Sequence, residues 1–378
     1  MPDVLIFADT VTTPEMRHEV PVLVPDPFLY AEKDGKKITM STAFEVERIA
    51  EAGIEAHAYE EFGYDELLAD GKRTRFDIIA LDLPLNACRA WGIEEAVVPW
   101  KSPAYVVDHL RENGITLTPD HQFFSDRRRV KNEAELEGIR RAQAAADAAM
   151  GAARDVLARA SQSNGSLTVD GEPLTVELVK GAIRRTFTEH NVASDDFIVS
   201  HGAQTAIGHE LGHGEIAPDE PIVIDLWPKD PESSCYADMT RTFVVGTPPE
   251  ELVEYHRLVK EALDKSLEAT KAGVPGVDIF RLVCEHFEAA GQPTVLSKKP
   301  GEVLEDGFFH GLGHGVGLEV HEPPWLGRAP GDMVAGDVVT LEPGLYRQGF
   351  GGVRLEDLVL VTENGAENLT EYPYDLTP

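Results

Sequence analysis

Two stretches of this chain repeat one pattern: an acidic turn, an apolar strand-like run and a carboxylate at its end. The first is Asp219-Glu220-Pro221-Ile222-Val223-Ile224-Asp225, the second Ala335-Gly336-Asp337-Val338-Val339-Thr340-Leu341-Glu342. A further strand-like run follows each, with Asp238 before Met239-Thr240 and Glu356 after Leu355. Antiparallel pairing of such runs brings opposed side chains to ~5 Å between Cβ atoms. Two half-domains, each giving two carboxylates, would then build one site by pseudo-symmetry. For Asp225 and Asp238 alone, two solvated strand-end acids is the simpler reading, and chance similarity between the two short segments is an equal rival until other residues join them.

Those residues exist. Glu342 is followed by Pro343-Gly344, a turn that fixes its carboxylate against the sheet. In Val353-Arg354-Leu355-Glu356-Asp357-Leu358-Val359, alternation puts Arg354 and Glu356 on the face opposite Val353 and Leu355. Arg354 beside a buried acid reads equally as a structural ion pair. Four converging carboxylates repel one another and need more counter-charge than one arginine. His310-Gly311-Leu312-Gly313-His314-Gly315-Val316-Gly317 is glycine-dense, which permits close backbone approach, and Leu318 to Glu322, containing His321, reads as a strand. Four carboxylates with one imidazole describe a site for two divalent cations. Oxygen-rich ligation suits Mn²⁺, and one nitrogen also admits Co²⁺, Fe²⁺ or Zn²⁺. Two such ions ~3.5–4 Å apart share a bridging hydroxide as nucleophile and polarise the carbonyl it attacks.

A length of 378 residues exceeds the ~250–300 at which one core stops growing, so two domains are expected. Over residues 1–130, apolar runs alternate with helical patterns as in an α/β domain: Val4 to Phe7 as a strand, a hairpin turning at Asp34-Gly35, a helix from Ala43 to Ala52 and a buried strand from Phe76 to Leu81. This part carries no cluster of chemical groups and reads as a scaffold. Residues 131–378 open with a long helix, Glu133 to Ala160, capped by Asn132. Amphipathic helices at Thr175 to Glu189, Pro249 to Lys271 and Val277 to Ala290 then accompany strands at Pro221 to Leu226, Met239 to Val245, Val338 to Leu341 and Val353 to Val361. The class is α+β.

The formal net charge of −32 comes from 66 acidic and 34 basic side chains. It is evenly spread, with 24 acidic against 14 basic over residues 1–130 and 42 against 20 over 131–378. This field repels phosphate backbones and anionic lipid, so neither nucleic acid nor a membrane is an expected partner. An even spread suits solvation in concentrated salt, where repulsion is screened within ~3 Å at 1 M; an ordinary acidic cytosolic protein is the alternative. The N-terminus lacks a signal-peptide pattern, no run approaches the ~20 apolar residues of a membrane span, and the three cysteines are odd in number and scattered. A cytoplasmic location is expected.

In these stretches the chain resembles the creatinase, prolidase and aminopeptidase P metallopeptidases, family M24, which have the pita-bread fold. The matching residues are Asp225, Ala237-Asp238-Met239-Thr240-Arg241-Thr242-Phe243, His310 to Glu322, Thr340 to Tyr346 and Gly352 to Asp357. The resemblance covers nearly the whole chain. It implies a creatinase-like N-terminal domain over 1–130 and a pita-bread catalytic domain over 131–378, beginning with the linker helix. By position it implies Asp225, Asp238, His314, Glu342 and Glu356 as metal ligands, with Asp238 and Glu356 bridging. Glu342 would also shuttle the proton, His321 would stabilise the oxyanion, and His310 and His209 would contact substrate. The implied activity is hydrolysis of the bond between an N-terminal residue and proline in a peptide, as aminopeptidase or dipeptidase, by a homodimer.

Asp225 and Asp238 stand thirteen positions apart, two more than is usual in the family, and Leu226-Trp227 replaces a residue-glycine pair, so Trp227 is expected to narrow the pocket. Other activities remain on the same fold: a creatinase-type amidinohydrolase, or a non-catalytic binding protein. A remote alternative is His209-Glu210-Leu211-Gly212-His213, which fits the zincin pattern H-E-x-x-H but needs a regular helix through a glycine-rich segment.

Overall fold

A computed structural model describes residues 2–378. The chain forms two compact units, one ending at Arg128 and the other running from Arg129 to Pro378. The first holds a six-stranded mixed sheet in the order β4-β3-β2-β1-β5-β6, made of β1 (Val4–Ala8), β2 (Phe28–Lys33), β3 (Lys36–Ser41), β4 (Glu55–Ala58), β5 (Glu95–Val98) and β6 (Thr116–Pro119). Strands β2 and β3 turn at Asp34-Gly35, where both residues have positive φ (50° and 78°), the conformation of a two-residue hairpin turn. The expected strand from Phe76 to Leu81 is instead helical, part of a run from Arg75 to Trp91. Thr74 caps it by accepting from the Asp77 amide. A short apolar run has no period that separates buried helix from buried strand, and the cap decides.

The second unit opens with the helix Glu133–Ala158, whose cap Asn132 and Glu135 exchange side-chain to backbone bonds at 2.9 and 3.0 Å. A small sheet follows, β7 (Ser161–Ser163), β8 (Ser166–Val169) and β9 (Glu172–Pro173). Two larger layers then carry the unit. In the first, β10 (Ile198–His201), β11 (Pro221–Leu226) and β12 (Met239–Val244) pack under the helices Glu133–Ala158 and Val176–Glu189, with Ile222, Ile224, Leu226 and Phe243 meeting Ala149, Ala153 and Ile183 in one core. The second contains β13 (Gly313–Gly315), β14 (Glu322–Leu326), β15 (Val338–Leu341), β16 (Gly344–Arg347), β17 (Gly351–Arg354), β18 (Asp357–Thr362) and β19 (Gly365–Asn368). It packs under the helices Glu250–Ala269 and Gly276–Ala289 through Val339, Leu341, Val353, Val359, Val259 and Phe280.

Two expected elements differ. The run Val353 to Val361 is broken into β17, which pairs with β16, and β18, which pairs with β15. Leu355 and Glu356 lie at the break, where Glu356 N donates instead to Thr240 O at 3.0 Å. Leu318 to His321 form bends rather than a strand; β14 starts only at Glu322. Among the described residues, no helix is long and apolar enough to cross a membrane.

Candidate metal centre

Alternation along the strands decides which way the acids point. Ile222, Ile224 and Leu226 of β11 enter the helix-covered core, so Asp225 takes the opposite face. The same parity turns Glu342 and Glu356 away from the core that holds Val339, Leu341, Val359 and Val361. Asp238 directly precedes β12 and Glu356 directly precedes β18, while Asp225 ends β11 but for one residue and Glu342 follows β15. Each layer thus supplies two carboxylates from equivalent places on one antiparallel pair. Within the first pair Asp225 opposes Thr240, which leaves Asp238 diagonal to it rather than directly across.

The layers meet at a polar seam. Glu356 forms a bridge with Thr240, whose Oγ1 donates to Glu356 Oε2 at 2.7 Å. Thr242 Oγ1 donates to Arg354 O at 2.8 Å and accepts from Arg354 N at 3.0 Å. His314 enters from β13, where Gly313 and Gly315 have no room for a Cβ: at Gly313 it would overlap Thr340 O, and at Gly315 the carbonyls of Glu322 and Pro323. His314 Nδ1 lies 3.1 Å from Gly315 O, which assigns the ring proton to Nδ1 and leaves Nε2 as a lone pair. That lone pair lies 3.8 Å from Asp238 Oδ2 and 3.6 Å from Glu342 Oε1. Ligand atoms of Asp238, His314 and Glu356 all fall within 4.8 Å of one another.

Electrostatics describe a site short of positive charge. Burial, then the neighbouring carboxylates, raise Asp238 and Glu356 well above the ordinary carboxylate range. Burial also pushes Glu342 up to about 8 against the pull of Arg354, and pushes His314 down to about 3. Arg354 Nη2 donates to Asp225 Oδ2 at 2.7 Å, while Asp225 Oδ1 is buried with no hydrogen-bond partner. Lone pairs facing lone pairs, with one orphaned carboxylate oxygen among them, fit a cation between them. Four carboxylates and an imidazole nitrogen form a donor set suited to borderline divalent ions.

The remaining predicted residues surround this cluster. His321 is solvent-exposed, with its ring 4.2 Å from that of His314. His209 is also exposed; burial and then Arg354 lower the pKa of His310, and burial and then the neighbouring His209 lower that of His321. His310 has both ring nitrogens engaged, Nδ1 with Gly311 O at 2.7 Å and Nε2 with the Tyr346 hydroxyl at 3.0 Å. Arg354 Nη1 donates to that hydroxyl at 3.1 Å, so the Tyr346 hydroxyl in turn donates a hydrogen bond to His310 Nε2. Burial lowers His310 to about 4 and keeps it neutral. Sequence reasoning assigns no role to Tyr346 or Thr240. Gly344, where a Cβ would overlap the Tyr346 hydroxyl, was the signal for the first, and the buried Thr240/Thr242 alternation for the second.

One expectation is corrected. Residues 207–214 form no helix, and Gly212 and Gly214 have φ of 81° and 90°. His209 and His213 therefore do not share a helical face, and the zincin reading fails on backbone geometry. Trp227 is partly buried against the core under the first layer. The long loop after it is folded on itself, with Ala237 N bonded to Pro228 O and Arg141 gripping Asp230 through two bonds at 3.0 and 2.9 Å.

A sequence model of metallopeptidase family M24 matches residues 137–363, which include all four converging acids and the imidazole. The chain belongs to family M24. It is 32% identical over 257 residues to the Xaa-Pro dipeptidase of Pyrococcus furiosus, an alignment spanning 66% of each chain and so just under two thirds of that relative. Over 296 residues it is 31% identical to the Xaa-Pro dipeptidase of Pyrococcus horikoshii, covering 77% of this chain and 76% of the relative. The X-Pro aminopeptidase structure from Thermotoga maritima superposes with a TM-score of 0.77 at 21% identity, covering 100% of this chain and 97% of that one. The Pyrococcus furiosus prolidase structure gives 0.74 at 23%, covering 99% and 97%. The M24 member described here has the α+β pita-bread fold in its second unit, preceded by an N-terminal α/β unit.

Proposed function

We propose that this M24 member is a metal-dependent exopeptidase that cleaves the bond between an N-terminal residue and proline. The single observation carrying the reading is the unprotonated His314 Nε2 aimed into a buried cluster of carboxylates that lacks matching positive charge. Asp225, Asp238, His314, Glu342 and Glu356 would hold two divalent ions. Mn²⁺ is the first choice for this oxygen-rich set, with Co²⁺, Fe²⁺ and Zn²⁺ as substitutes. When bound, such ions supply a water acidic enough to attack at neutral pH and polarise the scissile carbonyl.

The chain's own groups do the rest. Glu342, the most open of the acids facing His314 at 19% side-chain exposure, takes the proton of the attacking water and returns it to the leaving proline nitrogen. His321, exposed beside His314, donates to the developing oxyanion. Arg354 holds Asp225 and, through Tyr346, the neutral tautomer of His310, which forms a fixed wall of the pocket. His209 lines the open side. The two Pyrococcus relatives, both Xaa-Pro dipeptidases, support the dipeptidase form of this reading, and we propose that the protein works as a cytoplasmic homodimer.

The test is hydrolysis of Ala-Pro and Ala-Pro-Ala with Mn²⁺, alongside the Glu356→Ala variant. Cleavage of the dipeptide alone selects a prolidase, and cleavage of both an aminopeptidase. Absence of Mn²⁺-dependent cleavage of either peptide would discard the Xaa-Pro assignment, and a wild-type protein that binds no divalent ion would discard the metallopeptidase reading.

A further inference from the structure

Arg241 heads the fully buried side chains, yet it bonds none of the five residues through their ligand atoms. All five of its N–H donors are used. Nη1 donates to Thr240 O at 2.9 Å and to Glu356 O at 2.8 Å, the two residues whose own bonds close the seam between the layers. Nη2 donates to Asp357 Oδ1 and to Tyr372 O, both at 2.9 Å, and Nε donates to Pro373 O at 2.9 Å. Asp357 is in turn held on Oδ2 by the Tyr374 hydroxyl at 2.6 Å and Asn368 Nδ2 at 2.7 Å. The Tyr374 ring lies between two cations, Arg241 and Lys260, each 4.4 Å from its centroid.

We infer that Arg241 is a positioning residue for the metal centre, and that Asp357 and the segment Tyr372–Tyr374 form the clamp that holds its guanidinium. Asp238 stands two residues before Thr240, on the first layer; Glu356 stands on the second. A group that ties the Thr240 and Glu356 carbonyls to one rigid plane fixes the spacing of these two carboxylates, which repel each other and would otherwise spread. Both carbonyls are held by Nη1, while Nη2 and Nε anchor the same plane to Asp357, Tyr372 and Pro373; an ammonium, with three donors and no plane, cannot make all five bonds at once. Supports one bond removed from ligands typically change metal affinity by about 10- to 100-fold. This inference rests on the metal-dependent reading above.

Isothermal titration of Mn²⁺ into the metal-free full-length protein tests it, with thermal melting of each metal-free variant run in parallel. Arg241→Lys is expected to bind Mn²⁺ about 10- to 100-fold more weakly. Tyr374→Phe keeps the ring and loses only the bond to Asp357, and should weaken binding in the same direction by less. Lys260→Ala, which removes a side chain stacked on Tyr374 and bonded to Asp264, should match wild type. A merely structural role would lower the melting temperatures and leave the Mn²⁺ affinities alone. Folded Arg241→Lys and Tyr374→Phe proteins with wild-type affinity would overturn the inference; if Arg241→Lys does not fold, Tyr374→Phe decides. Wild-type protein that binds no Mn²⁺ would instead overturn the metallopeptidase reading, a distinguishable result.

Discussion

Arg354 Nη2 donates to Asp225 Oδ2 across 2.7 Å, joining the two layers of the second unit through residues 129 positions apart in the chain. Both side chains are nearly covered, at 7% and 14% exposure. Removing one partner of a buried pair costs about 3–5 kcal/mol, because the other charge is left without compensation. Arg354→Met is therefore expected to destabilise the metal-free protein by that amount in urea unfolding. Mn²⁺ should recover part of the loss by supplying counter-charge to Asp225; a loss unaffected by Mn²⁺ would contradict the placement of cations there.

Stability of the metal-free protein should fall as pH rises. Glu342 titrates near 8 in the folded protein and near its ordinary 4.5 when unfolded, with Asp238 and Glu356 raised in the same sense. Below about 4.5 both states hold the Glu342 proton, so it costs nothing. Between 4.5 and 8 only the folded state keeps it, and this stabilising difference is lost from the unfolded pKa upward until the folded group ionises. Melting temperatures from pH 5 to 8 should decline without metal, and saturating Mn²⁺ should flatten the slope. An unchanged slope would mean that the cations do not engage these carboxylates.

His321→Ala separates chemistry from metal binding. Its ring is exposed beside that of His314. Loss of one oxyanion donor typically lowers kcat by about 10²–10³. KM for Ala-Pro and the Mn²⁺ affinity should stay near wild type. A parallel loss of Mn²⁺ binding would make His321 a support of the metal centre instead.

Gly313→Ala should be costly although it adds one carbon. The new Cβ would overlap the carbonyl of Thr340, whose hydroxyl also receives the His314 amide at 3.1 Å. Overpacking of this kind costs about 1–3 kcal/mol. A lower melting temperature and weaker Mn²⁺ binding are expected together; Gly349→Ala, at a site with nothing within 4 Å but φ of 75°, should affect stability alone.

The charge of −32 predicts a salt response. Repulsion between surface carboxylates extends over ~30 Å at 0.01 M salt and ~3 Å at 1 M. With Mn²⁺ present, both melting temperature and hydrolysis rate should rise from 10 mM to 1 M NaCl. Full activity and an unchanged melting temperature in dilute buffer would refute a salt requirement.

Residue type and short-range period were enough for much of this molecule. The apolar runs ending in Asp225 and Glu342, the glycines around His314 and the cap at Asn132 each act over a few residues, so most strands, the long helix and the acids that converge with His314 were legible as text. The apolar run at Phe76 to Leu81 was not, because so short a run has no period that distinguishes helix from strand. Contacts between distant segments were decided only by the folded chain. Arg354 reaching Asp225, Tyr346 fixing His310 and Arg241 tying Thr240 and Glu356 to Tyr372 and Pro373 all depend on how two layers meet. Strand alternation tells which face a side chain takes, but the register between the layers is set by the packing of both cores at once.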